Sequence, residues 1–338
     1  MRGTVMRGSW NIFTVRPDGT GRGQVECRLK GKVLKGVERY YNPLAPGDRV
    51  VFEPDPKDPE RGVILDMEPR RNALTRLNQK ALGVRRSASA QVIAANVDRI
   101  LCVTAPSSPP FRPRFLDRLL IQGEIAGIPQ LIVCNKRDIQ PEDPDVEERL
   151  SDFRRIGYPV ISVSARTGAG MDELRRALEN RFSVLVGQSG VGKSSLVKYL
   201  LPDQDVRIGA VNAKYDRGAH TTTLASALEV ETQGAGRTFI IDTPGIRRFV
   251  PDGAAPADLI GYMREFAPLA GKCAYGVSCS HKTEAGCKIM EAVAAGAIHP
   301  DRYESFLRIR EELDRLRPAG GGRHKSFPHS ASKRTETD

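Results

Sequence analysis

A glycine-rich segment in the second half of the chain has the composition of a phosphate-binding loop. Residues 187–194 fit the pattern G-x-x-x-x-G-K-[ST], with one apolar run before them and another behind. Backbone N–H groups can surround a polyphosphate only where the chain turns tightly, which glycine permits. The residues expected to contact phosphate are Gly187, Gln188, Ser189, Gly190, Val191, Gly192, Lys193, Ser194 and Ser195.

The end of this loop has side chains suited to phosphate and metal. The ammonium group of Lys193 can reach the β- and γ-phosphates of a nucleotide, and the Ser194 hydroxyl can bind Mg²⁺. A helix that begins here would direct its positive end at the same anion. A glycine-rich turn without a ligand is the alternative, but chance matches to the pattern rarely fall between a strand and a helix.

Three further motifs follow segments with the pattern of buried strands. They are Asn135-Lys136-Arg137-Asp138, Ser164-Ala165 and Asp242-Thr243-Pro244-Gly245. Strands alternate with helices here, which favours a parallel sheet with its ligand at the carboxyl ends of the strands. The Asp138 carboxylate could accept hydrogen bonds from the ring N–H and the exocyclic amine of guanine, a pair that adenine does not offer. Together with the phosphate loop, these motifs resemble the motif set of the GTPases.

A cluster of thiols near the C-terminus has the ligand set of a zinc site. The cluster comprises Cys273, Cys279, His281 and Cys287. Three thiolates and one imidazole form a closed tetrahedral set, and a small region with few apolar residues gains stability from such a metal. Unrelated buried cysteines are the alternative. The other three cysteines stand apart, so a disulfide scaffold is not expected.

The N-terminal region has the alternating pattern of short β-strands. Examples are 25–29, 31–34, 49–52 and 62–65, separated by turn residues such as Pro17-Asp18-Gly19. About five strands with a basic face predict a small β-barrel of the OB type. An SH3-like barrel would give much the same pattern.

The chain is therefore predicted to be multidomain, with an α/β domain in the centre and a helical domain at the end. Predicted strands in the centre are 97–103, 130–134, 159–163 and 239–241, and predicted helices are 115–125, 146–156, 171–180 and, near the end, 302–317. The expected units are a barrel (1–69), a basic linker (70–90), a GTPase domain (91–250), a zinc-binding helical domain (251–317) and a disordered basic tail (318–338).

The positive charge is concentrated in the N-terminal part of the chain. Residues 1–40 contain nine Lys and Arg against three Asp and Glu, and residues 70–86 contain six against none, while the whole chain has a net charge of +11. A polyanion such as RNA would therefore meet this part first. A solvated basic surface that keeps the protein soluble is the alternative.

The order of the motifs is unusual, because the guanine motifs precede the phosphate loop. Most GTPases have the reverse order, so the chain is a circular permutation. With the N-terminal barrel and the cysteine cluster, this order resembles the RsgA family of circularly permuted GTPases that act on the small ribosomal subunit. The resemblance extends from the barrel to about residue 317.

The resemblance implies GTP hydrolysis with Mg²⁺ in late maturation of the small ribosomal subunit. It implies rRNA binding, stimulation of hydrolysis by the subunit, and other assembly factors as further candidate partners. The segment 217–223 is similar to the family's first switch, where Thr222 would close on Mg²⁺ and the γ-phosphate. Thr221 and Thr223 are alternatives, as is a flexible loop without this role.

Ile246 follows Gly245 at the position where many GTPases have the glutamine that orients water. An aliphatic side chain cannot orient water, so slow intrinsic hydrolysis is expected. His220 is a candidate for this task, although a packing or phosphate-facing histidine is equally compatible. The candidate catalytic residues are thus Lys193, Ser194, His220, Thr222, Asp242 and Gly245.

Composition favours a soluble, cytoplasmic protein without a membrane partner, and a monomer is expected although the sequence does not fix the oligomeric state. The chain has 338 residues, and no apolar run in it approaches the ~20 residues of a membrane span. The N-terminus also lacks the features of a signal peptide. Two other functions remain open: a nucleotide-dependent RNA-binding module with vestigial hydrolysis, and a GTPase switch for a non-ribosomal protein or membrane partner. Stimulation of turnover by ribosomal subunits distinguishes them.

Overall fold

The computed structural model describes residues 1–9, 11–19, 23–31, 34, 37, 40–77, 90–202, 225–231, 236–246 and 248–316. Within these ranges the chain forms a β-barrel, an α/β domain and a helical domain with a Cys3His cluster, which confirms the predicted fold class. Candidate residues His220 and Thr222 and the predicted tail lie outside them. None of the helices in the described ranges is long and apolar enough to cross a bilayer.

Five strands form the N-terminal barrel. They are β1 (Arg2–Ser9), β2 (Ile12–Pro17), β3 (Val25–Leu29), β4 (Arg49–Pro54) and β5 (Arg61–Met67). The strand order is β1-β2-β3-β5-β4, and β4 pairs back with β1. The β3–β5 pair is parallel and the other pairs are antiparallel. This closed arrangement is of the OB type, as predicted.

The barrel core follows from the alternation of side chains along each strand. In β2, Phe13 and Val15 are buried while Thr14 between them is partly exposed. Phe52 and Ile64 complete the same core from β4 and β5. The predicted strand 31–34 has no strand in its described residues, and Leu34 instead packs into the barrel core.

The predicted basic linker contains a strand in its described part. β6 (Ala73–Leu77) pairs antiparallel with β7 (Ala90–Ala95) in a separate two-stranded sheet. Arg70 is buried against Asp48, with Nε 2.7 Å from Oδ1, and Arg71 binds Asp98 at 2.8 Å. Arg70 is therefore bound inside the protein, whereas Arg71 keeps a side chain that is 60% exposed.

The α/β domain has a six-stranded sheet. Its strands are β8 (Arg99–Thr104), β9 (Gln130–Cys134), β10 (Val160–Ser162), β11 (Phe182–Gly187), β12 (Ser226–Val230) and β13 (Thr238–Asp242). The order is β10-β9-β8-β11-β13-β12, with only β12 antiparallel to its neighbour. The phosphate-loop strand β11 is thus central, and the strands that carry the other motifs lie on either side of it.

Helices cover both faces of this sheet. They are α1 (Pro113–Ala126), α2 (Val146–Arg155), α3 (Met171–Leu178) and α4 (Lys193–Leu200). Leu119 of α1 and Phe153 of α2 belong to the core on one face, while Leu174 of α3 and Leu196 of α4 belong to the core on the other. The observed bounds lie within two residues of the predicted helices.

The barrel is continuous with the α/β sheet. β1 pairs with β12 at Arg7 and Ser226, so one sheet of 11 strands runs through both units in the described part of the chain. The loop around Gly47 packs against the end of β7, where a Cβ at Gly47 would lie 1.9 Å from the carbonyl oxygen of Ala95. Only glycine fits this approach.

The C-terminal domain is built from short helices around the cysteine cluster. The α-helices are α5 (Lys288–Ala294) and α6 (Pro300–Arg315), and the 3-10 helices are Leu259–Tyr262, Ala267–Leu269 and Gly276–Ser278. Phe266 and Phe306 form a ring pair 5.1 Å apart at its centre. The predicted helix 302–317 corresponds to α6.

A buried ionic network joins the helical domain to α1. Arg302 of α6 is fully buried, and its Nη1 donates to Asp117 Oδ1 of α1 at 2.8 Å. Its Nε and Nη2 donate to the two oxygens of Glu265 at 2.6 and 2.9 Å. The domain that follows the Asp242–Gly245 motif is therefore fixed to a helix of the α/β domain.

Candidate nucleotide site and metal centre

The phosphate loop connects the end of β11 to the start of α4. Gly190 and Gly192 have φ of 87° and 92°, which favours glycine. A Cβ at Gly187 would lie 2.3 Å from the carbonyl oxygen of Val103, and one at Gly192 would lie 2.3 Å from Asn135 Nδ2. Glycine at these positions lets the loop pack against β8 and the residues that follow β9.

Lys193 is buried at the first position of α4. Its ammonium group donates to the carbonyl oxygens of Gly187 and Gln188 at 2.8 and 3.0 Å, so the side chain folds back along the loop. Burial lowers the pKa of Lys193 to about 8, and the nearby Asp242 carboxylate partly opposes this shift. The loop thus holds a buried ammonium group at the start of α4.

Asp242 has the properties of a residue that binds a cation or its water ligands. Its Oδ1 is buried and has no hydrogen-bond partner among the described residues. Burial raises the pKa of this carboxyl group, against the attraction of Lys193. An oxygen ligand left unpaired beside the phosphate loop fits a hard cation such as Mg²⁺.

The motif after β9 is tied to the phosphate loop. Asn135 Nδ2 donates to the carbonyl oxygen of Val191 at 3.0 Å, and its Oδ1 accepts from the Ala165 N–H at 3.1 Å. Lys136 has a φ of 67°, and its ammonium group donates to the carbonyl oxygen of Ser108. One amide side chain therefore holds three of the predicted motifs in a fixed relation.

Asp138 is oriented by two donors. The Ser164 hydroxyl accepts from the Thr167 N–H at 3.1 Å, so it must donate its own proton to Asp138 Oδ1. Arg166 Nε donates to Oδ2 at 2.8 Å. The hydrogen bond from Ser164, with Arg166 as a further cause, lowers the pKa of the Asp138 carboxyl group.

This arrangement leaves the carboxylate able to bind two more donors. An ionised carboxylate has about four lone-pair positions, of which Ser164 and Arg166 occupy two. The remaining two can accept the paired N–H groups of guanine. The sequence predicts that Asp138, Ser164 and Ala165 lie in one site, but it does not identify Arg166. Its position directly after Ser164-Ala165 was the available signal.

The Asp242–Gly245 motif reaches the phosphate loop from β13. The Thr243 hydroxyl donates to the carbonyl oxygen of Leu185 at 2.5 Å. A Cβ at Gly245 would lie 2.8 Å from Ser189 Cα, so glycine allows the two loops to touch. Ile246 is buried and its N–H donates to the Gly187 carbonyl oxygen at 3.3 Å. Its side chain packs in the core and has no polar group that could orient water.

The cysteine cluster has the geometry of a tetrahedral zinc site. The ligand atoms of Cys273, Cys279, His281 and Cys287 lie within 4.8 Å of one another. Cys273 Sγ is 3.9 Å from Cys287 Sγ, and both are 3.5 Å from His281 Nδ1. Zinc bonds of ~2.3 Å to sulfur and ~2.1 Å to nitrogen give edges of about 3.8 and 3.6 Å.

The surroundings of the cluster hold its loop in shape. The Glu284 carboxylate accepts from the N–H groups of Ser280 and Lys282 at 2.7 and 3.0 Å. The Tyr303 hydroxyl of α6 donates to the carbonyl oxygen of His281 at 2.6 Å. Such outer contacts orient metal ligands. The four residues therefore fit one structural zinc, as predicted.

The fold and the nucleotide site define a circularly permuted P-loop GTPase. The central strand carries the phosphate loop, and the guanine motifs come from strands that precede it in the chain. The description "RsgA GTPase" belongs to the family model that matches residues 67–250. YjeQ from Thermotoga maritima is similar in structure, with a TM-score of 0.67 and 29% identity over 92% of this chain and 98% of that one.

Curated relatives agree with this match. The chain is 40% identical to a small ribosomal subunit biogenesis GTPase RsgA from Chlorobaculum parvum, over 87% of this chain and 93% of that protein. A protein of the same name from Gemmatimonas aurantiaca is 36% identical over 92% and 97%. The chain therefore belongs to the RsgA GTPase family and is a GTP hydrolase. GTP is the substrate of this activity, GDP is its product, and Mg²⁺ is the metal that it requires.

The structure of YloQ, described as a circularly permuted GTPase, supports the fold alone. Its TM-score is 0.63 at 22% identity, and the match covers 94% of this chain and 96% of that one. The likeness extends over the barrel, the permuted domain and the helical domain. The predicted family resemblance is confirmed by the family model and the curated relatives.

Proposed function

We propose that this GTPase acts in late maturation of the small ribosomal subunit, where it binds rRNA and hydrolyses GTP when the subunit stimulates it. The observation that carries the proposal is the likeness to relatives named for small-subunit biogenesis, over nearly their full length. The site supports it, because four nucleotide motifs meet at one edge of the sheet. In the described part of the chain, no observation favours a different function.

The proposed site divides into three tasks. Asp138 reads guanine, supported by Asn135, Lys136, Ser164 and Ala165. The phosphate loop from Gly187 to Ser195 binds the phosphates, with Lys193 as the cation. Magnesium, when bound, supplies charge neutralisation at the phosphates, and Ser194, Asp242 and Thr222 are the residues proposed to hold it or its water ligands.

Hydrolysis is proposed to be slow until the subunit is bound. Ile246 is buried and offers no polar group to the attacking water. Gly245 would donate its N–H to the γ-phosphate, and His220 is the proposed residue to orient the water. The partner then acts by completing this arrangement, as activating proteins do for other GTPases.

The barrel is proposed to bind the rRNA. Arg2, Arg7, Arg28 and Lys30 are exposed on it, which gives it cations that are accessible to phosphate. The domain boundaries predicted from the sequence are part of this proposal, as are a cytoplasmic location, a monomeric state, other assembly factors as partners and the absence of a membrane partner.

The proposal is tested by GTP turnover with and without ribosomal particles. We expect slow turnover of the protein alone, strong stimulation by small subunits, and little stimulation by large subunits or bare rRNA. Lys193→Ala is the control for contaminating GTPases, because it removes the cation of the phosphate loop. Equal stimulation by large subunits would refute a small-subunit function, and no turnover under any condition would indicate vestigial hydrolysis.

Nucleotide binding is expected to take up a proton near pH 8. Lys193 has a pKa of about 8 in the free site, and the phosphates of a bound nucleotide would raise it by stabilising the ammonium form. At pH 8 about half of the free protein therefore lacks this proton. Calorimetry of GDP binding in buffers of different ionisation enthalpy measures the uptake. Affinity should fall as the pH rises from 7.5 to 9.5, and Lys193→Arg should remove this dependence.

A further inference from the structure

The segment after Gly245 runs between α1 and α6. Arg118 of α1 donates through Nη1 to the carbonyl oxygen of Phe249 at 3.3 Å. The Asp252 N–H donates to Gln122 Oε1 of α1 at 2.7 Å. The Leu77 N–H donates to the carbonyl oxygen of Val250 at 3.2 Å. These residues therefore have fixed contacts with α1 and with β6.

A single carboxylate on α6 binds this segment from the other side. Glu312 accepts from Arg248 Nη2 at 2.5 Å through Oε1, and from Arg118 Nη1 through Oε2. The Glu312 side chain is only 14% exposed, whereas that of Arg248 is 66% exposed. Glu312 thus binds an exposed arginine directly and, through Arg118, is linked to the backbone at Phe249.

This contact lies close to the phosphate loop. Gln188 of the loop, Arg248 and Glu312 line the same groove of about 740 Å³ between α1 and α6. Gly245, three residues before Arg248, touches Ser189, and Ile246 is bonded to Gly187. A change in the position of Arg248 would therefore shift Gly245 and Ile246 relative to the phosphate loop.

We infer that Glu312 is a positioning residue, which holds Arg248 and Phe249 and thereby keeps Gly245 in the place where its N–H can meet the γ-phosphate. This inference rests on the proposed GTP-binding site and adds a residue from the C-terminal domain to it. GDP has no γ-phosphate to accept from the Gly245 N–H, so its binding should depend less on the position of Gly245. Loss of the Glu312 charge leaves Arg118 and Arg248 facing each other, and their repulsion displaces the segment.

Glu312→Gln tests the inference against a matched control. The control is Glu311→Gln, which removes the neighbouring charge on α6. The Glu311 side chain is 57% exposed and is paired with Arg315. The readout is the affinity for GDP and for a non-hydrolysable GTP analogue, measured with fluorescent nucleotides on the full chain. We expect Glu312→Gln to weaken the analogue about tenfold relative to GDP, within the range of typical coupling effects. Glu311→Gln should leave both affinities unchanged.

Arg248→Ala provides a second, independent variant at an exposed position. It removes one of the two arginine contacts of Glu312, so it should give part of the loss. The double variant should lose no more than Glu312→Gln alone, because Glu312→Gln already removes the contact with Arg248. Equal weakening of GDP and the analogue would show that Glu312 has only a structural role. Tighter binding of the analogue would show that Glu312 restrains the segment, and would also refute the inference. If the unaltered protein bound neither nucleotide, the proposed function itself would fail.

Discussion

Replacement of Asp138 by Asn is expected to change the preferred substrate from guanosine triphosphate to xanthosine triphosphate. The Asp138 carboxylate is held by Ser164 and Arg166 with two acceptor positions free. An amide at this position presents an N–H where guanine also presents donors, so the guanine pair loses its acceptor. Xanthine has a carbonyl group at that place and can accept from the amide.

The expected loss of GTP affinity is large, up to about 10⁴-fold, because a site built to hydrogen-bond one base leaves its own groups unpaired when their partners do not match. Competition binding with GTP, xanthosine triphosphate and ATP measures it. Arg137→Ala is the matched control, since this exposed neighbour should leave the preference unchanged. An Asp138→Asn variant that kept the guanine preference would show that another residue reads the base.

The nucleotide site was largely predictable because its residues are adjacent in sequence to strand ends. Each motif has a local pattern, and a parallel sheet necessarily brings the carboxyl ends of its strands to one edge. The structure adds how the motifs are joined. The Asn135 side chain hydrogen-bonds the backbone of Val191 and of Ala165, which are 56 and 30 residues away in the chain. No local pattern could show these contacts.

Arg70 shows a limit of counting charges in the basic segment. Residues 70–86 contain only positive charges, which suggested a contact for a polyanion. Arg70 instead pairs with Asp48, which lies 22 residues earlier in the chain and is fully buried. Sequence gives the sign of a charge but does not give its burial, since burial depends on packing between distant segments. The exposed arginines of the barrel strands remain the better candidates for RNA.

The attachment of the C-terminal domain was likewise invisible in the sequence. The helical spacing of Tyr303, Phe306 and Leu313 predicts α6 and its apolar face. Arg302 looks like a solvated residue beside that face. In the fold it is fully buried and binds Asp117, which is 185 residues away in the chain. Periodicity cannot reveal a partner at that separation.

Arg302→Ala is expected to release α6 from α1. The substitution removes the cation that the buried carboxylates of Asp117 and Glu265 share, and among the described residues only the neutral Ser305 hydroxyl remains as a side-chain donor to Asp117. Breaking a buried ion pair from one side costs about 3–5 kcal/mol, because an uncompensated charge stays in the interior. Native-state hydrogen exchange of α6 measures the effect, since it reports the local free energy of opening.

Arg308→Ala on the same helix is the matched control. Arg308 is half exposed and pairs with Glu304 one turn away, and such surface pairs contribute only about 0.3–0.5 kcal/mol. We therefore expect α6 to exchange at nearly its original rate in this variant and several hundred-fold faster in Arg302→Ala, where ~1.4 kcal/mol corresponds to each factor of ten. Equal exchange in the two variants would show that the apolar contacts around Phe306 hold the domain without the ionic network. A selective effect of Arg302→Ala would show that one buried guanidinium fixes the C-terminal domain to the GTPase domain, which is the condition under which Glu312 can position the Gly245 segment.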